Sequence, residues 1–261
     1  MRIARYTTGD GASFGVVEGE DGGDLTVRRI EGHPFAPFQV TDDVVPLVGA
    51  RLLAPVLPSK VVAIGRNYAE HAKEMGNEVD PDEPAIVFLK PSTSVVGPND
   101  AVQYPVGVSE QVDFEGELAV VIARLCREVP VERVRDVVLG FTCANDVTAR
   151  DLQRRENQWG RAKGFDTFCP LGPWVTTDLD PSDLAVTTTV NGELKQAGRT
   201  SQMMRSVDEL VAHISQAMTL LPGDVILTGT PAGVGPLAVG DEVSVTIEQV
   251  GTLTNRVVAR G

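Results

Sequence analysis

Asp113, Glu115 and Glu117 stand at alternate positions of Gln111-Val112-Asp113-Phe114-Glu115-Gly116-Glu117-Leu118, which runs on into Ala119-Val120-Val121-Ile122. A period of two predicts a single β-strand with one acidic face. Neighbours on one face lie about 6.6 Å apart, so at an effective dielectric of about 20 each pair of unit charges repels by about 2.5 kcal/mol. A hard divalent cation, Mg²⁺ or Mn²⁺, relieves that repulsion by taking carboxylate oxygens while keeping positions open for water and a ligand. A solvated edge strand that blocks aggregation carries the same pattern.

Asp146 follows Phe141-Thr142-Cys143-Ala144-Asn145 and precedes Thr148-Ala149-Arg150-Asp151, a capping-box-like helix start with Asp where Glu is usual. At such a strand-to-helix corner Asp146 can complete a three-carboxylate metal site with Glu115 and Glu117, or simply favour the helix N-terminus. Arg150, Gln153 and Arg154 then fall at i, i+3 and i+4 on one helix face, within reach of an anion at the corner.

A second group lies between Gly65 and Gly76, where the spacing predicts a short helix with Asn67 as N-cap and Glu70 as its capping-box partner. His71 and Glu74 then face each other at i, i+3. A carboxylate beside an imidazole fixes its tautomer and raises its basicity, which sets up a general base, although the same pair occurs as a weak surface interaction. Of the three histidines, His33 and His213 lack such a partner. The short glycine-bounded helix also suits a mobile lid.

Lys163, read as a turn residue in Lys163-Gly164-Phe165-Asp166-Thr167, can steady a developing oxyanion or hold a carboxylate. Thr228-Gly229-Thr230-Pro231-Ala232-Gly233 follows a strand and offers backbone N–H groups and the Thr230 hydroxyl to an anionic group. It lacks the Gly-Lys-Ser/Thr ending of a nucleotide loop, and no dinucleotide-binding glycine pattern follows a strand.

The elements that must position these residues are mostly strands. In 261 residues, 26 Gly and 17 Pro mark many tight turns, and 42% hydrophobic content supplies a core. Residues 1 to about 56 alternate short β-like runs (Phe14–Val17, Asp24–Val27) with Gly and Asp turns, predicting a small β-rich N-terminal subdomain that ends in a proline-stiffened joint at Pro55 and Pro58. The larger part, 59–261, starts with strands at Val61–Ile64 and Ala85–Leu89 and includes a helix opened by the capping box Ser206-Val207-Asp208-Glu209 and running to about Thr219.

A formal charge of −13 repels a nucleic-acid backbone and an anionic membrane surface, so neither is an expected partner, and any organic-acid substrate needs local cations. Three scattered cysteines without a Cys-x-x-Cys pair suit a reducing cytoplasm. No apolar run of membrane-spanning length or leader is read from the chain.

Seven stretches in this order, over roughly Lys60 to Val257, resemble the fumarylacetoacetate hydrolase family: Gly65-Arg66-Asn67-Tyr68 with His71 and Glu74, Phe88-Leu89-Lys90-Pro91, Asp113-Phe114-Glu115-Gly116-Glu117-Leu118, Asn145-Asp146-Val147-Thr148-Ala149-Arg150, Lys163-Gly164-Phe165-Asp166-Thr167, Leu171-Gly172-Pro173-Trp174, and the loop from Thr228. The resemblance implies an α+β, β-rich fold, a β-roll of mixed sheets with short helices, and a homodimer. It also implies Mg²⁺ or Mn²⁺ on Glu115, Glu117 and Asp146, with His71 and Glu74 activating water and Lys163 beside the substrate oxygens. Arg66, Arg150, Gln153 and Thr230 would contact the substrate. The larger hydrolases that name the family place a further metal carboxylate shortly before the histidine. Val61 to Tyr68 here contains no acid, so water would fill that position, and the shorter bacterial members resemble the chain more closely.

The expected activity is metal-dependent C–C cleavage, by hydrolysis or decarboxylation, of an acylpyruvate-like 2-oxo acid through a stabilised enolate. The alternatives are a 2-hydroxyhepta-2,4-diene-1,7-dioate isomerase or related decarboxylase of aromatic catabolism, and a non-catalytic metal-binding dimer.

Overall fold

Leu118 to Ile122 is apolar on both sides of the pleat, and a strand of that kind belongs in the middle of a covered sheet. In the computed structural model, which describes residues 1–9, 11–19, 23–76, 80 and 83–260, every residue of Gly116–Ile122 is buried. Leu118, Val120 and Ile122 face one apolar cluster and Ala119 and Val121 face another. Each fully buried Val, Leu or Ile contributes about 1.5–3 kcal/mol.

This strand lies inside a large mixed sheet. Along its main path the strands are, in spatial order, Gln39–Pro46, Thr26–Glu31, Ser13–Glu18, Arg2–Thr7, Cys169–Thr176, Val138–Asn145, Gly116–Ile122, Val225–Leu227, Val61–Gly65 and Ile86–Lys90, with Arg51–Leu53 also paired to Arg2–Thr7 and Val95–Val96 to Cys169–Thr176. Val225–Leu227 and Val61–Gly65 run parallel, and the other neighbours along that path are antiparallel. The N-terminal meander joins the rest at Arg2↔Thr176 and Ile3↔Val175, and Ala4, Tyr6, Val17 and Val27 enclose Trp174 in a small core of their own. Of the turns expected there, residues 10 and 20–22 lie outside the described residues.

A second sheet, Glu193–Arg199, Ala185–Val190, Glu242–Ile247, Gly251–Ala259 and Ala101–Tyr104, shares the first cluster through Val186, Val245, Ile247 and Leu253. Helix α4 (Val207–Ala217) covers the same cluster with Val207, Leu210, Val211 and Ile214, and it opens on the predicted box: Ser206 Oγ accepts from the Glu209 N–H while Glu209 accepts from the Ser206 N–H at 2.7 Å. It ends slightly before the expected Thr219. The remaining helices are short: α1 (Ala69–Glu74), α2 (Arg150–Arg155) and α3 (Gly160–Lys163). Strand-rich, mixed in direction and poor in helix, the fold is the expected α+β, β-rich class. Among the described residues no helix is long and apolar enough to cross a membrane.

Three local expectations are corrected. The acidic segment is two strands, Val112–Phe114 and Gly116–Ile122, in different sheets. Asn67 does not cap α1, whose N-cap is Tyr68 without a side-chain bond. Its amide instead donates to the Arg205 and Thr228 carbonyls (3.0 and 2.9 Å) and accepts from the Arg205 N–H (3.0 Å). Thr148 does not open α2 either, because it lies in a short strand and its hydroxyl donates to the Asp146 carbonyl at 2.9 Å.

Candidate active site

The break at Glu115 makes the site. Register pairs Gly116 with Asn145 and Glu117 with Ala144, so Asp146, one residue past its strand, arrives beside Glu115, and its N–H donates to the Glu115 carbonyl at 2.8 Å. The Glu115 N–H is taken by the side-chain oxygen of Asn145 at 3.0 Å. The chain can therefore leave one sheet and enter another without stranding a backbone group. The break takes Asp113 out of the predicted acidic face but draws the other carboxylates closer together than a continuous strand would. Asp113 turns away onto Arg150 (2.8 Å), while Glu115, Glu117 and Asp146 converge, all buried, with one oxygen from each lying within 4.8 Å of the others.

Cations crowd this cluster. Lys163 Nζ donates to Glu115 (2.8 Å) and Asp146 (2.6 Å), Arg150 donates to Glu115 (2.6 Å), and the fully buried Lys90 donates to Asp146 and to the Val147 carbonyl (3.2 Å). Burial pushes the Glu115 carboxyl upward, but Lys163 and Arg150 outweigh it and hold it below the usual carboxylate range. Burial depresses Lys163, yet Asp146 and Glu115 raise its ammonium above the ordinary lysine value. Glu117 is different: it accepts from the Gly229 N–H at 2.7 Å, and burial together with Asp146 and Glu115 pushes its carboxyl well above the usual range. Four buried carboxylates thus face three buried cations. Hard oxygen donors that converge, one of them uncompensated, fit a divalent cation.

A cavity of about 290 Å³ opens over the triad. Its walls include His71, Arg66, Gln153, Arg154 and Thr230 on the polar side and Met75, Phe88 and Trp159 on the apolar side. His71 is buried with Nδ1 3.4 Å from Glu74, whose carboxylate is in turn held by the Gly233 N–H at 3.1 Å. Arg66 reaches the wall through a left-handed backbone (φ 59°) at the entry to α1. Arg150 spends three donors on Asp113, Glu115 and Gln153, leaving two of its five for a ligand. Because Gln153 accepts from Arg150 through its oxygen (2.6 Å), its NH₂ remains as a donor.

Thr230 lines the same cavity, with its hydroxyl engaged inside the protein. Its hydroxyl donates to the Gly116 carbonyl (2.9 Å) and accepts from Gln196 (2.7 Å), so its hydrogen is already spent. Lys163 stands at the end of α3 rather than in a turn, with Nζ 5.1 Å from the centre of the Phe88 ring. The remaining predicted residues meet at this one cavity, with Glu74 behind His71. Sequence reasoning assigned no role to Lys90 or Asn145. Both lie in stretches that resemble the family, Lys90 ending an apolar strand and Asn145 directly before Asp146.

The matching families and relatives point the same way. Residues 60–258 match the family described as fumarylacetoacetate (FAA) hydrolase C-terminal, and residues 1–55 match one described as Rv2993c-like, N-terminal. Among curated relatives, Protein Rv2993c of Mycobacterium tuberculosis is 52% identical over 266 residues (100% of this chain, 99% of that one). The mitochondrial oxaloacetate tautomerase FAHD2A of Homo sapiens is 47% identical over 228 residues (82% and 72%). Among solved structures, 2-hydroxyhepta-2,4-diene-1,7-dioate isomerase from Mycobacterium marinum superposes with a TM-score of 0.93 at 50% identity (100% and 99% covered). Fumarylpyruvate hydrolase from Pseudomonas aeruginosa in complex with Mn²⁺ and pyruvate gives 0.74 at 33% identity (84% and 93% covered). With its motifs carried on this fold and a family match over most of its length, the chain belongs to the fumarylacetoacetate hydrolase family.

Proposed function

We propose that the protein is a divalent-metal-dependent enzyme that moves a proton at C3 of a 2-oxo acid, beside the keto carbonyl, and so interconverts keto and enol forms. The observation that carries this reading is His71, backed by Glu74, set into the wall of the same cavity as the buried triad. The tautomerase and isomerase names of the relatives near half identity support it, since both describe proton shifts in unsaturated or oxo acids.

Glu115, Glu117 and Asp146 would hold the cation. When bound, it supplies Lewis-acid stabilisation of the negative charge that the acid's oxygens develop as C3 loses a proton. The chain's own groups do the rest. Glu74 holds His71 as its Nδ1–H tautomer, which leaves Nε2 to take the proton from C3 and return it. The Gln153 amide, Arg66 and the two free donors of Arg150 orient the acid's oxygens, while Phe88 and Trp159 keep water from one side of the cavity.

Cleavage of an acylpyruvate is the second reading, favoured by the likeness to a fumarylpyruvate hydrolase solved with pyruvate. There His71 takes its proton from water, the hydroxide adds to the acyl carbonyl, and the C3–C4 bond breaks. Its electron pair goes to C3, which is protonated to give pyruvate. Proton NMR in D₂O with Mg²⁺ separates the two. Deuterium entering C3 of oxaloacetate faster than in buffer, without pyruvate from acetylpyruvate, supports tautomerisation. Stoichiometric pyruvate from acetylpyruvate supports cleavage, and neither outcome with Mg²⁺ bound removes both.

A further inference from the structure

Glu193–Arg199 is an edge strand of the second sheet, largely exposed, yet one of its side chains is fully buried. That residue is Gln196. Its carbonyl accepts from the Gly116 N–H at 2.9 Å, and its NH₂ donates to the Thr230 hydroxyl at 2.7 Å and to the Pro231 carbonyl at 2.8 Å. The Thr230 hydroxyl closes the ring by donating to the Gly116 carbonyl at 2.9 Å. Gly116 is the residue between Glu115 and Glu117, and Thr230 follows the Gly229 whose N–H holds Glu117. Gln196 therefore braces Glu117 from two sides, through its own backbone and through the loop that binds its carboxylate. The second sheet also presses directly on the joint, since a Cβ on Gly116 would meet Thr188 Oγ1 at 2.1 Å and Val245 Cγ1 at 3.2 Å.

We propose that Gln196 is a positioning residue for the carboxylate triad, fixing the break between the two acidic strands so that Glu117 converges with Glu115 and Asp146. An amide is the side chain that serves here, because it offers one acceptor to an N–H and two donors to two oxygens. Partners that orient metal ligands typically carry a 10- to 100-fold share of metal affinity. The inference rests on the triad holding a divalent cation.

The test is Mn²⁺ titration of the full chain by electron paramagnetic resonance at pH 8, with thermal melts alongside. Gln196→Met keeps the volume and removes every hydrogen bond, and it should weaken Mn²⁺ binding by at least about tenfold. Gln196→Glu keeps the acceptor for Gly116 and loses the donors, and it should fall between Gln196→Met and the parent. Ile247→Ala, which opens the core of the same sheet at the Val186 pair, should lower the melting temperature and keep the parent Kd. The proposal is overturned if a folded Gln196→Met binds Mn²⁺ as the parent does, or if Gln196→Met does not fold and Gln196→Glu binds as the parent does. It also fails if Ile247→Ala weakens binding equally. If the parent itself takes no Mn²⁺, the metal reading fails first, and this inference with it.

Discussion

Glu117 rests on the backbone N–H of Gly229 at 2.7 Å, whereas Glu115 and Asp146 are each gripped by two side-chain cations. Without metal its raised carboxyl is the least settled charge of the site. Glu117→Gln should therefore fold, with metal-free stability equal to or above the parent's, while Mn²⁺ affinity falls by about 100-fold or more. The sign follows from the upward shift: the metal-free parent loses stability as pH rises through the raised value, and Glu117→Gln does not. Melts across pH with and without Mn²⁺ read both effects. Saturating metal at about 100 times Kd should add about 2.7 kcal/mol to the parent alone.

His71→Ala should keep the fold and the Mn²⁺ affinity and lose about 10²- to 10⁴-fold in kcat. Glu74→Gln retains an acceptor for the Gly233 N–H, so it should fold normally and lose kcat by a smaller factor with little change in KM. A loss of metal in either variant, seen by titration, would count against the division of labour between the pair and the triad.

Arg66 occupies a left-handed conformation that costs a side-chain residue about 1–2 kcal/mol. Strain of this kind persists where the surroundings require it. Arg66→Gly should leave stability within about 1 kcal/mol of the parent, since the relief is offset by the greater freedom of an unfolded glycine. It should nevertheless raise KM for 2-oxo acids. An unchanged KM would remove Arg66 from the site.

Asp224 tests the scaffold rather than the chemistry. Fully buried, it accepts from the Ser59 N–H (3.1 Å) and hydroxyl (2.6 Å), the Lys60 ammonium and the Leu221 N–H (2.8 Å), tying the start of Val61–Gly65 to the turn before its parallel partner. Burial raises its carboxyl, but these bonds outweigh that and hold it below the usual range. The stability it contributes is thus present above the unfolded value of about 3.9 and is lost as pH falls through the lower folded one. Asp224→Asn should cost about 2–4 kcal/mol at pH 7 in urea unfolding, with a smaller difference near pH 3.

Much of the site was legible because its chemistry lies in local patterns. Glu115, Glu117, Asp146, His71 and Lys163 stand in short motifs whose spacing survives folding. What the sequence hid is what is held at long range. The strand break at Glu115 depends on a bond from Asn145, and Asn67, placed like an N-cap, is drawn off by Arg205 and Thr228. Gln196 sits in a polar hairpin, Asn191-Gly192-Glu193-Leu194-Lys195-Gln196, where nothing marks one residue as buried. Frequent Gly and Pro turns suggested a strand-rich chain and the family resemblance implied the fold, but strand order rests on pairings such as Val225 with Val61 that no local pattern encodes.

The two tryptophans divide the molecule between them. Trp174 is sealed in the N-terminal core, its indole N–H donating to the Val250 carbonyl at 2.6 Å. Trp159 stands half-buried on the cavity wall with its ring 5.3 Å from that of Phe88. Occupancy of the cavity should therefore alter the emission of one indole against a constant background from the other. The protein then carries its own optical gauge of ligand binding, and a Trp159→Phe variant should silence it.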